Sequence, residues 1–96
     1  MKPSIAVLKY KLVTGWNTLK TRGPLNKTNT HIDDQNDEIT LWVANDVNQS
    51  VQTHRLYVTI TGEEVPQAAE KHQAMWYLGT CVQRGGGFVT HTFIQI

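Results

Sequence analysis

The last twenty-two residues most constrain what this chain can fold into. They read Met75-Trp-Tyr-Leu-Gly-Thr-Cys-Val-Gln-Arg84, then Gly85-Gly86-Gly87, then Phe88-Val-Thr-His-Thr-Phe-Ile-Gln-Ile96. Two runs rich in β-branched and aromatic residues flank three glycines, the pattern of a β-hairpin. The carboxyl terminus is therefore expected inside a sheet.

The rest of the chain has the same character. Ala6, Leu8, Tyr10 and Leu12 alternate with Lys9 and Lys11, so residues 4–13 read as a strand. Trp16 to Lys20 reads as a short second strand, and Arg22-Gly23-Pro24 as a turn. Residues 27–37 alternate weakly and fit either a polar edge strand or a loop, with a turn at Gln35-Asn36-Asp37. Residues 38–45 put Ile39, Leu41 and Val43 on one face and Thr40, Trp42 and Ala44 on the other. In residues 51–61, His54, Leu56, Val58 and Ile60 alternate with Thr53, Arg55, Tyr57 and Thr59. Only residues 66–74 favour helix, enough for a helical turn near 67–74 on the rim of the sheet. No segment has the length of a parallel crossover. The expectation is one mainly β domain over residues 1–96, an antiparallel twisted sheet or open barrel of five to seven strands.

Ninety-six residues make one domain, burying only about 60–65% of its unfolded surface. Nine Lys and Arg stand against eight Asp and Glu, a net charge of +1. That balance argues against gripping extended nucleic acid, which needs a basic face. The charge is polarised: positions 1–27 hold six of the nine basic residues and no acid. Cys81 is the single cysteine, so no intrachain disulfide forms and a reducing compartment fits. No apolar run approaches a signal sequence or the roughly 18–20 residues of a membrane span. The expected location is cytoplasmic, with no membrane partner. The apolar terminal strand, taken as a sheet edge, leads to an expected homodimer or higher oligomer that buries this strand or its face.

The pattern from Glu38 onward resembles a family of small, uncharacterised phage and prophage proteins, a domain of unknown function. The resemblance rests on Leu41-Trp42-Val43-Ala44, on Arg55-Leu56-Tyr57-Val58 running to Thr61-Gly62, on Tyr77-Leu78-Gly79-Thr80, and on Gly87-Phe88-Val89-Thr90-His91-Thr92-Phe93. Leu8-Lys9-Tyr10-Lys11 also fits. Two segments depart from the pattern. Residues before Leu41 are more polar, notably Asp33 and Asp34, and the insert at Gln67–Ala74 is longer. The resemblance implies a compact β protein of phage or mobile-element origin. It implies no activity.

The candidate site residues are Arg84, Arg55, His91, Trp76, Trp42 and Tyr57, as ligand or partner contacts. Trp42 is either buried in a central strand or exposed in an interface, where tryptophan is enriched. His91, between Val89 and Phe93, is either a packed histidine or a ligand contact. Arg55 shares a face with Tyr57 and two threonines, which suits either solvent or a phosphate. Gln83-Arg84-Gly85-Gly86-Gly87 lacks the Gly-Lys-Ser/Thr of a phosphate loop, so it reads as a turn or a glycine flap. On strand parity, Trp76, Leu78, Thr80, Val82 and Arg84 are expected on one face. Cys81 reads as a small packed residue. The spacing of His31, His54, His72 and His91 matches no zinc site, so no metal or cofactor is expected.

No catalytic constellation emerges, and the chain is expected to be non-enzymatic. The leading expectation is a phage-encoded accessory protein that binds and neutralises a host component. The alternative is a sponge that sequesters a nucleotide-derived immune signal at a subunit interface, using Arg55, Arg84 and His91.

Overall fold

The computed structural model describes residues 2, 4–66 and 74–96. Among these, seven strands form: β1 (Ile5–Leu12), β2 (Gly15–Arg22), β3 (Thr30–Gln35), β4 (Glu38–Asp46), β5 (Val51–Ile60), β6 (Met75–Gln83) and β7 (Phe88–Gln95). They build two antiparallel sheets, one of order β1-β4-β3 and one of order β2-β5-β7-β6. The expected mainly β antiparallel domain is what forms. The helical turn expected near 67–74 falls on residues 67–73, which lie outside the described residues.

Alternation in the sequence becomes two-sidedness in the sheets. Ile39, Leu41 and Val43 of β4 point inward and are buried, as do Leu56 and Val58 of β5. They join Leu12, Leu25, Ile32, Leu78, Cys81 and Ile94 in one apolar cluster fed by both sheets. Burying this shared layer is the main driving force for closing the sheets on each other, at about 25 cal/mol per Å² of apolar surface.

Turns set the registers. The ambiguous segment 27–37 contains a strand, β3, which forms an edge of the smaller sheet. Asn36 and Asp37 have φ of 53° and 64°, the two left-handed residues of a tight hairpin, and Gln35 faces Glu38 across it. Asn17 locks the short β1–β2 link: its Oδ1 accepts from Val13 N at 2.9 Å and its Nδ2 donates to Val13 O at 2.8 Å. The β6–β7 hairpin closes at Gln83 and Phe88. Between them Arg84, Gly85 and Gly86 take φ of 53°, 64° and 96°, a run of left-handed residues that favours glycine at the last two positions.

Two expectations are corrected. First, β7 is not an edge: it pairs with β5 on one side and β6 on the other. Its apolar character reflects this interior position, with Ile94 2% exposed, and a dimer built by covering its edge has no edge to cover. Second, β6 does not keep one parity. Tyr77 faces Phe93 but Gly79 faces Thr92, so Leu78 is an extra residue, a β-bulge. Trp76 and Leu78 therefore lie on the side of Ile94, while Thr80 and Val82 lie on the opposite side, with His91 and Val89. Arg84 belongs to the hairpin loop and to neither set.

The bulge has a packing reason. Gly79 lies against Ile32 of β3, where an added Cβ would come 3.3 Å from Ile32 Cδ1. The edges of the two sheets meet there, and Gln83 Nε2 donates to Asp34 Oδ1 at 2.8 Å a turn of strand further on. Among the described residues, no helix is long and apolar enough to cross a membrane.

Candidate functional site

The larger sheet turns one face to the core and one to solvent. On the solvent face the registers align Trp16 of β2 with Tyr57 of β5, Tyr57 with Phe93 of β7, and Phe93 with Tyr77 of β6. Each strand contributes one ring. With strands about 4.8 Å apart, the row is about 15 Å long. Trp16 meets Tyr57 edge-on at 5.2 Å between centroids, and Tyr77 meets Phe93 edge-on at 5.5 Å. Such pairs hold each other in place.

A cation closes each end of the row. The Arg55 guanidinium lies 4.3 Å from the Trp16 ring centroid, and Lys27 Nζ lies 5.5 Å from that of Tyr77. None of β2, β5, β6 or β7 contains an Asp or Glu. The face is thus aromatic, hydroxyl-bearing and cationic, with no carboxylate from its own strands. The acids of the described strands lie in β3 and β4 of the other sheet.

His91 sits one pair along from Phe93, facing Thr59 on β5 and Thr80 on β6. Its Nε2 is 2.8 Å from the Thr61 hydroxyl and its Nδ1 is 3.0 Å from the Thr80 hydroxyl. Thr80 in turn bonds the Tyr77 hydroxyl. A neutral imidazole donates from one nitrogen and accepts at the other, so both are used and the ring is fixed. The chain Thr61–His91–Thr80–Tyr77 anchors one end of the aromatic row.

The structure brings Arg55, Tyr57 and His91 onto this face. It does not bring the other three there. Arg84 lies in the β6–β7 loop, 3.8 Å from Asp37, with its guanidinium 5.3 Å from the Phe88 ring. Gln95, level with Arg55, and Phe88, beside Arg84, are seven residues apart along β7. That separation is about 23 Å of strand. Trp76, 59% exposed, is on the opposite side of β6 from Tyr77. Trp42 is half-buried on the outer face of the smaller sheet, under Lys9 Nζ at 5.6 Å. Trp16, Phe93, Tyr77 and Lys27 are the members that sequence reasoning missed as a set. Parity alone places each ring outward, but only the order β2-β5-β7-β6 makes them neighbours.

Two further titratable groups fall outside the face. His54 points inward, with Nε2 2.9 Å from the Thr21 hydroxyl and 3.2 Å from Gly23 O. Burial lowers its pKa, against the Gly23 carbonyl, which raises it. Cys81 is buried in the core, as expected of a packed residue. Burial pushes its thiol pKa up, and the Asp34 and Asp33 carboxylates push the same way, so it is a poor nucleophile. Among the described residues, no group of three or more His, Cys, Asp or Glu could hold a metal.

Fold and face together define a small two-sheet β domain that presents a cation-capped aromatic row on one sheet. The chain belongs to the family described as a domain of unknown function, DUF7352, whose model matches residues 4–96. No curated protein and no solved structure matches it.

Proposed function

We propose that this domain is a non-enzymatic binding protein that docks a partner protein on the outer face of its larger sheet. The observation that carries this reading is the row Trp16–Tyr57–Phe93–Tyr77, capped by Arg55 and Lys27 and free of carboxylates on its own strands. Trp, Tyr and Arg are the residues that dominate protein–protein binding energy, and here they are clustered and mutually braced. A 15 Å row on a sheet matches the central patch of an interface, whereas a small ligand is normally held in a concave site. Both His91 nitrogens are engaged by hydroxyls and Cys81 is buried, which supports a binding role over a catalytic one.

In keeping with its resemblance to phage and prophage proteins, we take the partner to be a cytoplasmic host component that the domain neutralises by occupying its surface. The nucleotide-sponge reading called for Arg55 and Arg84 around one ligand. Within one chain they stand at opposite ends of β7, and that reading would need a second subunit to bring them together. The test is affinity capture from host lysate with wild-type protein and with a Trp16→Ser/Phe93→Ser variant of matched melting temperature. One stoichiometric partner, held by wild type and lost by the variant, is expected. A partner retained equally by both, or none at all, overturns the proposal.

A further inference from the structure

The second surface lies where the sheets part, beside β1 and β2. β1 pairs with β4 on one side, and among the described residues no strand pairs with its other side. Its first half is apolar on both faces: Ile5 and Val7 are each 63% exposed outward, and Leu8 is 51% exposed inward. Beside this free edge is a cleft of about 330 Å³ between the sheets, walled by Ala6, Leu8, Tyr10, Val43, Val47 and Val51. An unpaired, flat, apolar edge is a template for another strand. An added strand gains main-chain hydrogen bonds from the edge and specificity from pockets that take alternate side chains. β1 offers the edge and the cleft offers the pocket.

Charge selects the occupant. Lys20 and Arg22 line the cleft, and Lys9 and Lys11 stand on the outward face of β1. Residues 1–27 contain no acid. A second copy pairing β1 against β1 would bring Lys9 and Lys11 of both copies together, offset only where Glu38 of β4 pairs with Lys11, which is unfavourable. Asn45 Nδ2, in the cleft wall, is a buried donor with no partner. Among the described residues Lys11 is paired with Glu38 at 3.4 Å, while Lys9, Lys20 and Arg22 form no ion pair, so the uncompensated charge at the site is positive. We propose that the β1 edge accepts an extended, acidic peptide segment of a partner, with alternate apolar side chains in the inter-sheet cleft and acidic side chains against Lys9. This site is separate from the aromatic face and does not depend on it.

The test is fluorescence anisotropy with a labelled peptide of alternating valine and glutamate, which places all its acids on one side of a strand. Binding is expected to exceed that of a valine–lysine peptide by at least about tenfold. N-methylation of the peptide backbone at alternate residues is expected to abolish it, and bound peptide to slow amide exchange at residues 5–8. Leu8→Glu, on the cleft side, and Lys9→Glu, on the outer side, alter exposed side chains and are each expected to remove binding without lowering the melting temperature. Equal affinity for both peptides, no affinity for either, or undiminished binding of the N-methylated peptide overturns the proposal. So does a dimer in which the amides of residues 5–8 are already protected, since a second copy then fills the edge.

Discussion

Arg55 stacks on Trp16, its guanidinium 4.3 Å from the ring centroid, across the edge pair of the larger sheet. The stack orders one end of the row, where Trp16 sits on an edge strand and is 36% exposed. It also holds a charged, flat group at the boundary where a partner would meet solvent. Its energetic worth in the free protein is small, about 0.5–1 kcal/mol for an exposed cation–π pair. Arg55→Ala should thus lower stability by less than about 1 kcal/mol by chemical denaturation. It should weaken partner binding by more than about tenfold, the scale of a hot-spot arginine. Arg55→Lys should restore the charge but not the flat stack, and recover only part of the affinity.

A larger side chain at Gly79 should press on Ile32. The glycine backbone meets Ile32 at the point where the two sheets touch, and a Cβ there would lie 3.3 Å from Ile32 Cδ1. Gly79→Val should destabilise by about 1–3 kcal/mol, the cost of overpacking. Adding Ile32→Val should return part of that loss. A double-mutant cycle by urea unfolding would show the coupling, and additive costs would mean that the strain lies elsewhere.

His54 makes stability pH-dependent in a defined direction. Burial depresses its folded pKa below the unfolded value of about 6.5. Between the two values the unfolded chain binds more protons, so stability rises with pH through that window. The contribution is complete above about 6.5 and is lost as pH falls towards and past the depressed folded value. Wild type minus His54→Gln in melting temperature, followed from neutral to acid pH, should shrink on the acid side. A difference that is constant with pH would remove the titration argument.

Cys81 should be silent to thiol reagents in the native protein. It is 1% exposed, and burial and the Asp34 and Asp33 carboxylates all keep its thiol protonated. Modification should follow global unfolding, with Cys81 reacting fully only in denaturant. Rapid native labelling would mean that the β6 strand opens locally.

The strands were legible where one face is buried and the other is not. Leu56 and Val58 against Arg55 and Tyr57 define β5 from parity alone, and Asn36-Asp37 marks the β3–β4 hairpin by residues that accept left-handed backbone. β3 stayed ambiguous because only Ile32 in it reaches the core, so Asp33 and Asp34 mask the pattern. β7 was misread as an edge because an apolar strand looks the same in sequence at a sheet edge and in a sheet interior. The Leu78–Gly79 bulge reverses the faces of β6 where Gly79 meets Ile32, a residue of a distant strand that nothing in the local sequence of β6 announces. Of the site, Arg55, Tyr57 and His91 could be read from their own strands. The row they belong to could not, since Trp16, Phe93 and Tyr77 become neighbours only through strand order.

The central claim is that partners meet the outer face of the larger sheet. Site-specific photo-cross-linking tests it most directly, with p-benzoylphenylalanine replacing Tyr57 in one protein and Trp42 in another. Both positions are half-buried and outward, but they lie on opposite sheets. In host lysate, position 57 is predicted to give one dominant adduct and position 42 none. An adduct from position 42 with none from position 57 would contradict the account and place the interface on the smaller sheet.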